Sequence, residues 1–456
     1  MQQEVRQENK MGVMPVPKLI ITMSLPIMAS MLVQALYNIV DSVFVAQISE
    51  NALTAVSMAF PLQNLMIAVA TGTAVGINAL LSRNLGAKDF KKVNQIANHA
   101  IFLAVLSYLA FLVIGFFGAE AFFRSQTDIE EIIVYGTEYT RICLCLSIGL
   151  FIAIFCERML QSTGKTVYSM YSQGAGAITN IIMDPILIFG MFGLPEMGVA
   201  GAAYATVLGQ IVSAVVGATL NQKKNKEITI QLKGFRPDFK LIKQIYGIGI
   251  PSIIMASIGS IMNYGMNRIL LGFTSTATAV FGVYFKLQSF IFMPVFGLNN
   301  GVIPVVAYNY GAGNKERVLK AIKTSVVIAL IIMTAGVIVF QTIPDVLLKM
   351  FDASETMLFI GVPALRVISL SFIFAAIGIA CSSAFQALGY AFYSMLMSIV
   401  RQLGVLLPVA YLFSLTGEVR LVWFAFPIAE LVAIILCAFF MAYINKTVIQ
   451  KIGTQN

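Results

Sequence analysis

The chain of 456 residues is 58% hydrophobic and only 11% charged, which excludes an ordinary soluble domain, where about a quarter of the residues are charged. Apolar stretches of about 20 residues, long enough to cross the hydrocarbon core as helices, recur along the whole chain, so we predict an all-α polytopic membrane protein. The net charge of +9 does not indicate nucleic-acid binding, because the lysines and arginines collect on one side of the predicted spans.

Twelve transmembrane helices are predicted, and this even number places both termini on the same side. The polar N-terminal segment that precedes the first span lacks the apolar region and cleavage site of a signal peptide, so we expect the N-terminus to be retained. The side rich in Lys and Arg is expected to be cytoplasmic, which gives a multi-pass protein of the inner (cytoplasmic) membrane with both termini in the cytoplasm. The predicted spans are residues 17–45, 52–81, 94–118, 133–157, 166–192, 198–220, 242–271, 278–307, 318–340, 358–386, 391–414 and 421–444.

The sequence contains an internal repeat, because its two halves align without a gap when Pro26 is placed on Pro251. In this alignment, which we call the repeat register, SRNLGAKD after the second span falls on AYNYGAGN after the eighth, and QSTG falls on QALG. Six spans per half give a parallel repeat of two pseudo-symmetric six-helix bundles. We therefore predict an N-lobe (residues 1–222), a cytoplasmic linker (223–243) and a C-lobe (244–456).

Polar residues line one face of the first predicted span. Gln34, Asn38 and Asp41 are spaced i, i+4 and i+7, and Tyr37 lies beside them. An ionised carboxylate inside a span costs several kcal/mol unless it is paired or hydrated, so Asp41 requires a partner or a function. Pro26, earlier in the same span, is expected to bend the helix.

The fifth predicted span carries a matching polar set, in which Asn180 and Asp184 are one helical turn apart. Both spans run outward from the cytoplasmic side, so we expect Asp41 and Asp184 to meet in one polar pocket. Pro185 removes the hydrogen-bond donor of the Ile181 carbonyl and predisposes the helix to bend. Carboxylates and freed carbonyls suit Na⁺, and a carboxylate can also carry H⁺. We predict no cofactor, and no metal site beyond Na⁺ at the two aspartates.

The internal repeat supplies a comparison for these acids. The repeat register places Asp41 opposite Met266 and Asp184 opposite Val409. If the aspartates only held a six-helix bundle together, the second bundle would be expected to need them too. We therefore expect them to have a functional role.

The second half has its own candidate residues. Arg401 and Glu430 lie near the midplane of adjacent spans and are expected to pair, either as a structural ion pair or with a role in gating or substrate binding. Lys286 is expected to pair with an anionic group or to extend outward to the membrane surface. Met266 and Tyr37 are candidates for substrate contact, because Met and aromatic side chains accept varied apolar cations. The single histidine, His99, is expected to be an interfacial or packing residue.

Six segments that occur in order along the chain together resemble the multidrug and toxic compound extrusion (MATE) family: YNIVDSVFVAQ, SRNLGAKD, QSTGK, NIIMDPILIFG, GVAGAAYAT and FPIAE. The resemblance covers nearly the whole chain and includes the two-lobe repeat. It is strongest to the DinF-like and MepA-like branch, whose aspartates in the first and fifth helices are implicated in cation binding. By position this implies a cation site at Asp41 and Asp184, with Asn180 and Tyr139 as neighbours. The acids that the NorM-like branch carries in helices seven and ten are missing from those spans here, which argues against a C-lobe cation site.

The resemblance implies a transporter rather than an enzyme. It implies export of amphipathic, often cationic organic compounds, driven by inward flow of H⁺ or Na⁺ through alternating access. The expected partners are such drugs and the membrane lipids, without nucleic acid, and a monomer is expected.

Three other functions are less consistent with the sequence. The main alternative is a flippase for a lipid-linked oligosaccharide or another lipid, whose anionic pyrophosphate calls for more basic residues within the spans than this chain has. An intramembrane aspartyl protease also uses two buried aspartates, but its GxGD signature is absent because Asp184 lies in IMDP. The sequence contains no P-loop, so ATP-driven pumping by this chain is unsupported.

Overall fold

The computed structural model describes residues 8–351 and 353–453, and the secondary structure in this part of the chain is helical throughout. The all-α prediction is therefore confirmed. The extreme ends, residues 1–7 and 454–456, for which a cytoplasmic location is expected, lie outside the described residues. The first half contains α1 Lys10–Val13, α2 Val16–Ala46, α3 Glu50–Gly86, α4 Phe90–Arg124, α5 Glu130–Cys145, α6 Ile148–Ser162, α7 Thr166–Phe189 and α8 Gly198–Lys224. The second half contains α9 Phe239–Leu271, α10 Ser275–Gly311, α11 Lys315–Thr342, α12 Pro344–Lys349, α13 Glu355–Ser369, α14 Phe372–Ala387, α15 Ala391–Ile399, α16 Leu407–Ser414, α17 Val419–Val422 and α18 Ala425–Thr447.

The helices account for the predicted membrane spans. Within the described residues, nine helical segments are long and apolar enough to cross a membrane. Two more spans are bent pairs, α5 with α6 and α13 with α14, and the bend between the helices is 46° in each pair. The remaining predicted span is α7, a helix of 24 residues whose polar side chains keep it below the same level of apolarity.

The internal repeat extends to the ends and bends of individual helices. Helices α3 and α10 both have 37 residues, and their bounds coincide in the repeat register. Each begins after a hydroxyl cap: Ser49 Oγ accepts from the Ala52 N–H at 3.0 Å, and Thr274 Oγ1 accepts from the Ala277 N–H at 3.1 Å. The two bent pairs are also repeat-equivalent. The two halves therefore share their local structure as well as their hydrophobic pattern.

The described chain forms two compact units. The N-unit comprises residues 29–253, and the C-unit combines residues 8–28 with residues 254–453. The chain passes from one unit to the other inside α2, shortly after Pro26, and inside α9, shortly after Pro251. The division thus runs through these two helices rather than through the linker at residues 223–243.

Glycines bring the first part of α9 close to α3 within the N-unit. A Cβ atom added to Gly76 would lie 2.2 Å from the Ile245 carbonyl oxygen, and one added to Gly72 would lie 2.6 Å from the Ile253 nitrogen. In the C-unit, a Cβ on the repeat-equivalent Gly301 would lie 2.8 Å from the Cα of Ser24 in α2. Such close backbone approach is typical of small residues between membrane helices.

Candidate functional site

Asp184 is the most deeply buried acid of the candidate site. Its residue is 0% exposed on α7. Its Oδ1 accepts a hydrogen bond from Asn180 Nδ2 at 3.4 Å, whereas the buried Oδ2 has no hydrogen-bond partner among the described residues. An unsatisfied carboxylate oxygen in a buried position is a ready acceptor for a proton or a cation.

Close packing of α7 and α8 positions Asn180. Its Nδ2 also contacts Thr206 Oγ1 on α8 at 3.4 Å, and its Oδ1 is buried without a hydrogen-bond partner. A Cβ on Gly209 of α8 would lie 2.7 Å from the Gly176 carbonyl oxygen of α7 and 3.2 Å from the Cβ of Asn180. Only glycine at these places lets the two helices come near enough for this contact.

Asp41, on α2, is the second aspartate of the site. Its Oδ1 is buried and has no hydrogen-bond partner in the part of the chain that the structure describes. Asp41 contributes to the electrostatic environment of Asp184 and of Tyr139 on α5. The buried Tyr139 hydroxyl in turn accepts from Gln63 Nε2 of α3 at 3.3 Å. Helices α2, α3, α5 and α7 thus each contribute a polar side chain to one region of the N-unit.

Tyr37 connects the two aspartates with a third acid. The Gln34 side chain and the carboxyl groups of Asp41, Asp184 and Glu157 all contribute to the electrostatic environment of its hydroxyl. Asn38 is exposed, and among the described contacts it takes part only through its carbonyl, which accepts from Ser42 Oγ at 2.9 Å. The structure therefore brings together Gln34, Tyr37 and Asp41 from the first span but leaves the Asn38 side chain outside the network.

The two prolines lie within continuous helices. Helix α2 runs through Pro26 from Val16 to Ala46, and α7 runs through Pro185 from Thr166 to Phe189. Each proline lacks the N–H that would bond the carbonyl four residues earlier, so each helix has a weak point there. In α7 this point is adjacent to Asp184.

Glu157 is the residue that the sequence interpretation missed. It fell at the end of the predicted fourth span, but α6 continues to Ser162 and buries Glu157 to 6% exposure. Its Oε2 accepts from Gln173 Nε2 at 2.6 Å, and its Oε1 accepts from Ser213 Oγ at 3.4 Å. The repeat register places Ser382 opposite Glu157, so the comparison that singled out the aspartates could have found it.

With the exception of Gln63, the other polar residues of the N-unit site are also specific to the first repeat. In the repeat register, each of them lies opposite an apolar residue or a small one. The replacements are Gly259 for Gln34, Met262 for Tyr37, Ala364 for Tyr139, Val405 for Asn180 and Leu431 for Thr206.

The C-unit candidates form a different arrangement. Arg401 Nη1 and Glu430 Oε1 form an ion pair at 2.7 Å, and Arg401 lies in a π-helical segment, Val400–Leu406. Such segments often occur at functional sites. Lys286 Nζ lies 5.9 Å from the centre of the Phe351 ring, an arrangement that permits a cation–π contact. Met266 is fully buried within the C-unit, so in this structure it packs rather than lining an open surface.

Breaking the Arg401–Glu430 pair is expected to be worse than removing it. In Glu430→Leu the guanidinium stays buried without its partner, so we expect a loss of about 2–3 kcal/mol, at the low end for buried pairs because Arg401 is 24% exposed. Arg401→Met combined with Glu430→Leu is expected to recover most of the thermal stability of the purified protein. A double variant no more stable than the single one would show that the pair is not an isolated structural unit.

Among the described residues, no group of three or more His, Cys, Asp or Glu could hold a metal ion. The N-unit site offers instead two or three carboxylates, amide oxygens and hydroxyls. These are hard oxygen ligands, which suit H⁺ or Na⁺ as a transported ion.

Comparison with known proteins places the chain in a family. A sequence model of the MatE family matches residues 26–186 and again residues 251–412, so it recognises each repeat once. The multidrug export protein MepA of Staphylococcus haemolyticus is 26% identical over 423 residues, which cover 92% of this chain and 91% of that protein.

Solved structures agree with this assignment. An outward-facing multidrug resistance MATE family transporter of the MOP superfamily has a TM-score of 0.91 and 25% identity, covering 98% of this chain and 100% of the other. A MATE protein in the straight conformation has a TM-score of 0.90 and 26% identity, covering 96% and 99% of the two chains. The twelve-helix, two-lobe fold is therefore shared, and this chain belongs to the MatE family and resembles its MepA-like members.

Proposed function

We propose that the chain is a cation-coupled antiporter, which exports amphipathic, often cationic organic compounds while H⁺ or Na⁺ moves inward through alternating access. The observation that carries this proposal is that Asp41, Asp184 and Glu157 all act electrostatically on Tyr37, whereas the repeat-equivalent positions of the second repeat carry no carboxylate. A helix bundle of this design does not need these carboxylates, since the second bundle is built without them.

The physical basis of coupling is competition for buried negative charge. Asp184 Oδ2 and Asp41 Oδ1 are buried without partners, and a buried carboxylate is stable only when it is protonated or neutralised by a cation. A proton, Na⁺ and a cationic drug can each supply that neutralisation. If one ion displaces another from the same carboxylates, movement of the first drives movement of the second.

We assign the ion-binding role to Asp41, Asp184 and Asn180, each of which carries a buried oxygen without a hydrogen-bond partner among the described residues. Tyr139, Gln34 and Thr206 are proposed to position them. We also propose that the transporter acts as a monomer. We propose that it lies in the cytoplasmic membrane with both ends of the chain in the cytoplasm, because Lys and Arg collect on one side of the predicted spans.

The coupling ion is tested with purified protein in liposomes, a fluorescent cationic dye and one imposed gradient at a time. Dye accumulation that follows a pH gradient, or that shows saturable Na⁺ stimulation at fixed pH, supports the antiporter and identifies its ion. Dye movement that ignores both gradients would contradict coupling and favour the flippase alternative.

Glu157 provides a separate prediction. Glu157→Gln keeps the contacts with Gln173 and Ser213 in shape but removes a charge that acts on Tyr37. We expect dye export to fall by about fivefold or more, because an ionisable residue buried within a membrane span is by default part of the transport path. Its pH dependence should also change. The matched control is Glu138→Gln, an exposed acid on α5 of the same unit, which should leave export unchanged.

A further inference from the structure

The linker after α8 is fastened along α4 within the N-unit. We call residues 225–238 the linker strap. Its backbone is held at three points: Asn94 Oδ1 accepts from the Thr229 N–H at 2.8 Å, Asn98 Oδ1 accepts from the Gln231 N–H at 3.0 Å, and His99 Nε2 accepts from the Asp238 N–H at 2.8 Å. Because these contacts use backbone groups, they fix the path of the strap without using its outward side chains.

His99 is therefore an interfacial packing residue, as the sequence interpretation expected. Its Nδ1 lies 2.7 Å from the Gln95 carbonyl oxygen, which can only accept, so Nδ1 carries the proton and Nε2 is left as an acceptor. The His99 ring also packs edge-on against Phe235 of the strap, with 4.9 Å between ring centres.

The inward side chains of the strap are engaged as well. Asn225 Nδ2 donates to the Met159 carbonyl at 3.3 Å, and Glu227 forms an ion pair with Lys165. Glu227 is thereby neutralised, so the remaining charge of the strap is mostly positive.

The outward side chains combine basic and apolar groups. Lys226, Lys233 and Arg236 of the strap are not buried, and neither are Lys223, Lys224, Lys240 and Lys243 on the helices that flank it. Between them lie exposed apolar residues: Ile230 is 39% exposed, Leu232 is 52% exposed and Phe239, at the start of α9, is 80% exposed. Exposed apolar side chains among lysines are unusual for a surface that meets only water, but they are typical of segments that lie in the lipid interface.

The position of the strap on α4 places it at headgroup depth. Asn94 and Asn98 share a helical face with Val105 and Leu109, which are exposed further along α4. Helix α4 has 35 residues and is about 52 Å long, well beyond the roughly 30 Å of a hydrocarbon core. If Val105 and Leu109 meet acyl chains, the turns under the strap lie among the headgroups of the same leaflet.

We propose that the linker strap and its flanking lysines form a docking surface for anionic phospholipid headgroups. The lysines and Arg236 meet the phosphate layer, and Ile230, Leu232 and Phe239 enter the boundary between headgroups and acyl chains. Charge spread along an extended segment, with apolar side chains between, matches a lipid surface better than a compact pocket for a soluble anion. The proposal concerns lipid binding and is independent of the coupling ion.

The test measures lipid selectivity of the full-length protein in phosphatidylcholine liposomes that contain spin-labelled phosphatidylglycerol or spin-labelled phosphatidylcholine. We expect wild-type protein to prefer phosphatidylglycerol, with a preference that weakens as salt rises. Combining Lys226→Gln, Lys233→Gln and Arg236→Gln is expected to reduce that preference about threefold or more. A triple change to serine at Ile230, Leu232 and Phe239 should reduce it less and leave the salt dependence.

The matched control removes the same charge from the C-unit, through Lys320→Gln, Lys323→Gln and Lys446→Gln, which are not buried and are predicted to face the same side of the membrane. This control should keep the wild-type preference. Equal losses in both triple variants would overturn the proposal, because the effect would then be one of total charge. Displacement of the labelled lipid by excess soluble glycerol phosphate would also overturn it, in favour of a site for free phosphate groups.

Discussion

Asp184→Asn is expected to reduce gradient-driven dye export about tenfold or more, because an ionisable residue inside a membrane span is by default part of the transport path. The amide keeps the shape of the side chain and its neighbour Asn180, but it carries no negative charge and cannot take up a proton as a carboxylate does. Asp184 is fully buried, so solvent cannot compensate for the lost negative charge. Initial rates of dye uptake in liposomes, normalised to the amount of reconstituted protein, measure the effect.

The internal repeat provides the control for this variant. Val409→Asn places the same side chain at the repeat-equivalent position of the C-unit and is expected to leave export within about twofold of wild type. Asp41→Asn should resemble Asp184→Asn, since Asp41 acts electrostatically on Asp184. Wild-type coupling in both aspartate variants would remove the proposed ion site.

Gly76→Ala is expected to destabilise the N-unit strongly. The new Cβ would lie 2.2 Å from the Ile245 carbonyl oxygen and 3.1 Å from the Ile245 carbonyl carbon, so α3 and the first part of α9 must separate. The contact is with backbone, which cannot move aside as a flexible side chain would. Overpacking of this kind costs about 1–3 kcal/mol or more, and the thermal unfolding midpoint in detergent should fall accordingly.

Gly247→Ala is the matched control for this clash. Gly247 lies close to Ile245 in the sequence of α9 and has nothing within 4 Å of an added Cβ, so alanine there should be neutral or slightly stabilising through its higher helix propensity. Gly301→Ala, the repeat-equivalent change in the C-unit, should destabilise as Gly76→Ala does, because its Cβ would lie 2.8 Å from Ser24 Cα. If the Gly76→Ala and Gly247→Ala proteins unfold at the same temperature, that result would contradict the close approach of α3 and α9.

Much of the fold could be predicted from the sequence, because span length and repeat are local or periodic signals. The repeat-equivalent α3 and α10 are examples, since both begin near the predicted residues. The 46° bends in the fourth and tenth spans could not be predicted in the same way. The first bend falls at Leu146 and Ser147, where no proline or glycine interrupts the apolar pattern.

The candidate site was predictable only in part, for a related reason. Asp41 and Asp184 stand out because a carboxylate is rare in an apolar run, and Asn180 follows from its one-turn spacing to Asp184. The contacts of Glu157 with Gln173 and Ser213, and of Gln63 with Tyr139, join different helices. Such contacts depend on how the helices pack, and no spacing along the chain encodes that.

The shared helices α2 and α9 determine how this protein can be divided. A polypeptide ending just after α8 would contain the opening segment of α2, which belongs to the C-unit, and would lack the opening segment of α9, which belongs to the N-unit. A protein of half this length, made of one repeat, could therefore complete its bundles only as a dimer whose two chains exchange their opening segments. In the full-length chain the two repeats are fused in tandem, so this exchange of segments is intramolecular. Each bundle therefore acquires its missing segment independently of protein concentration.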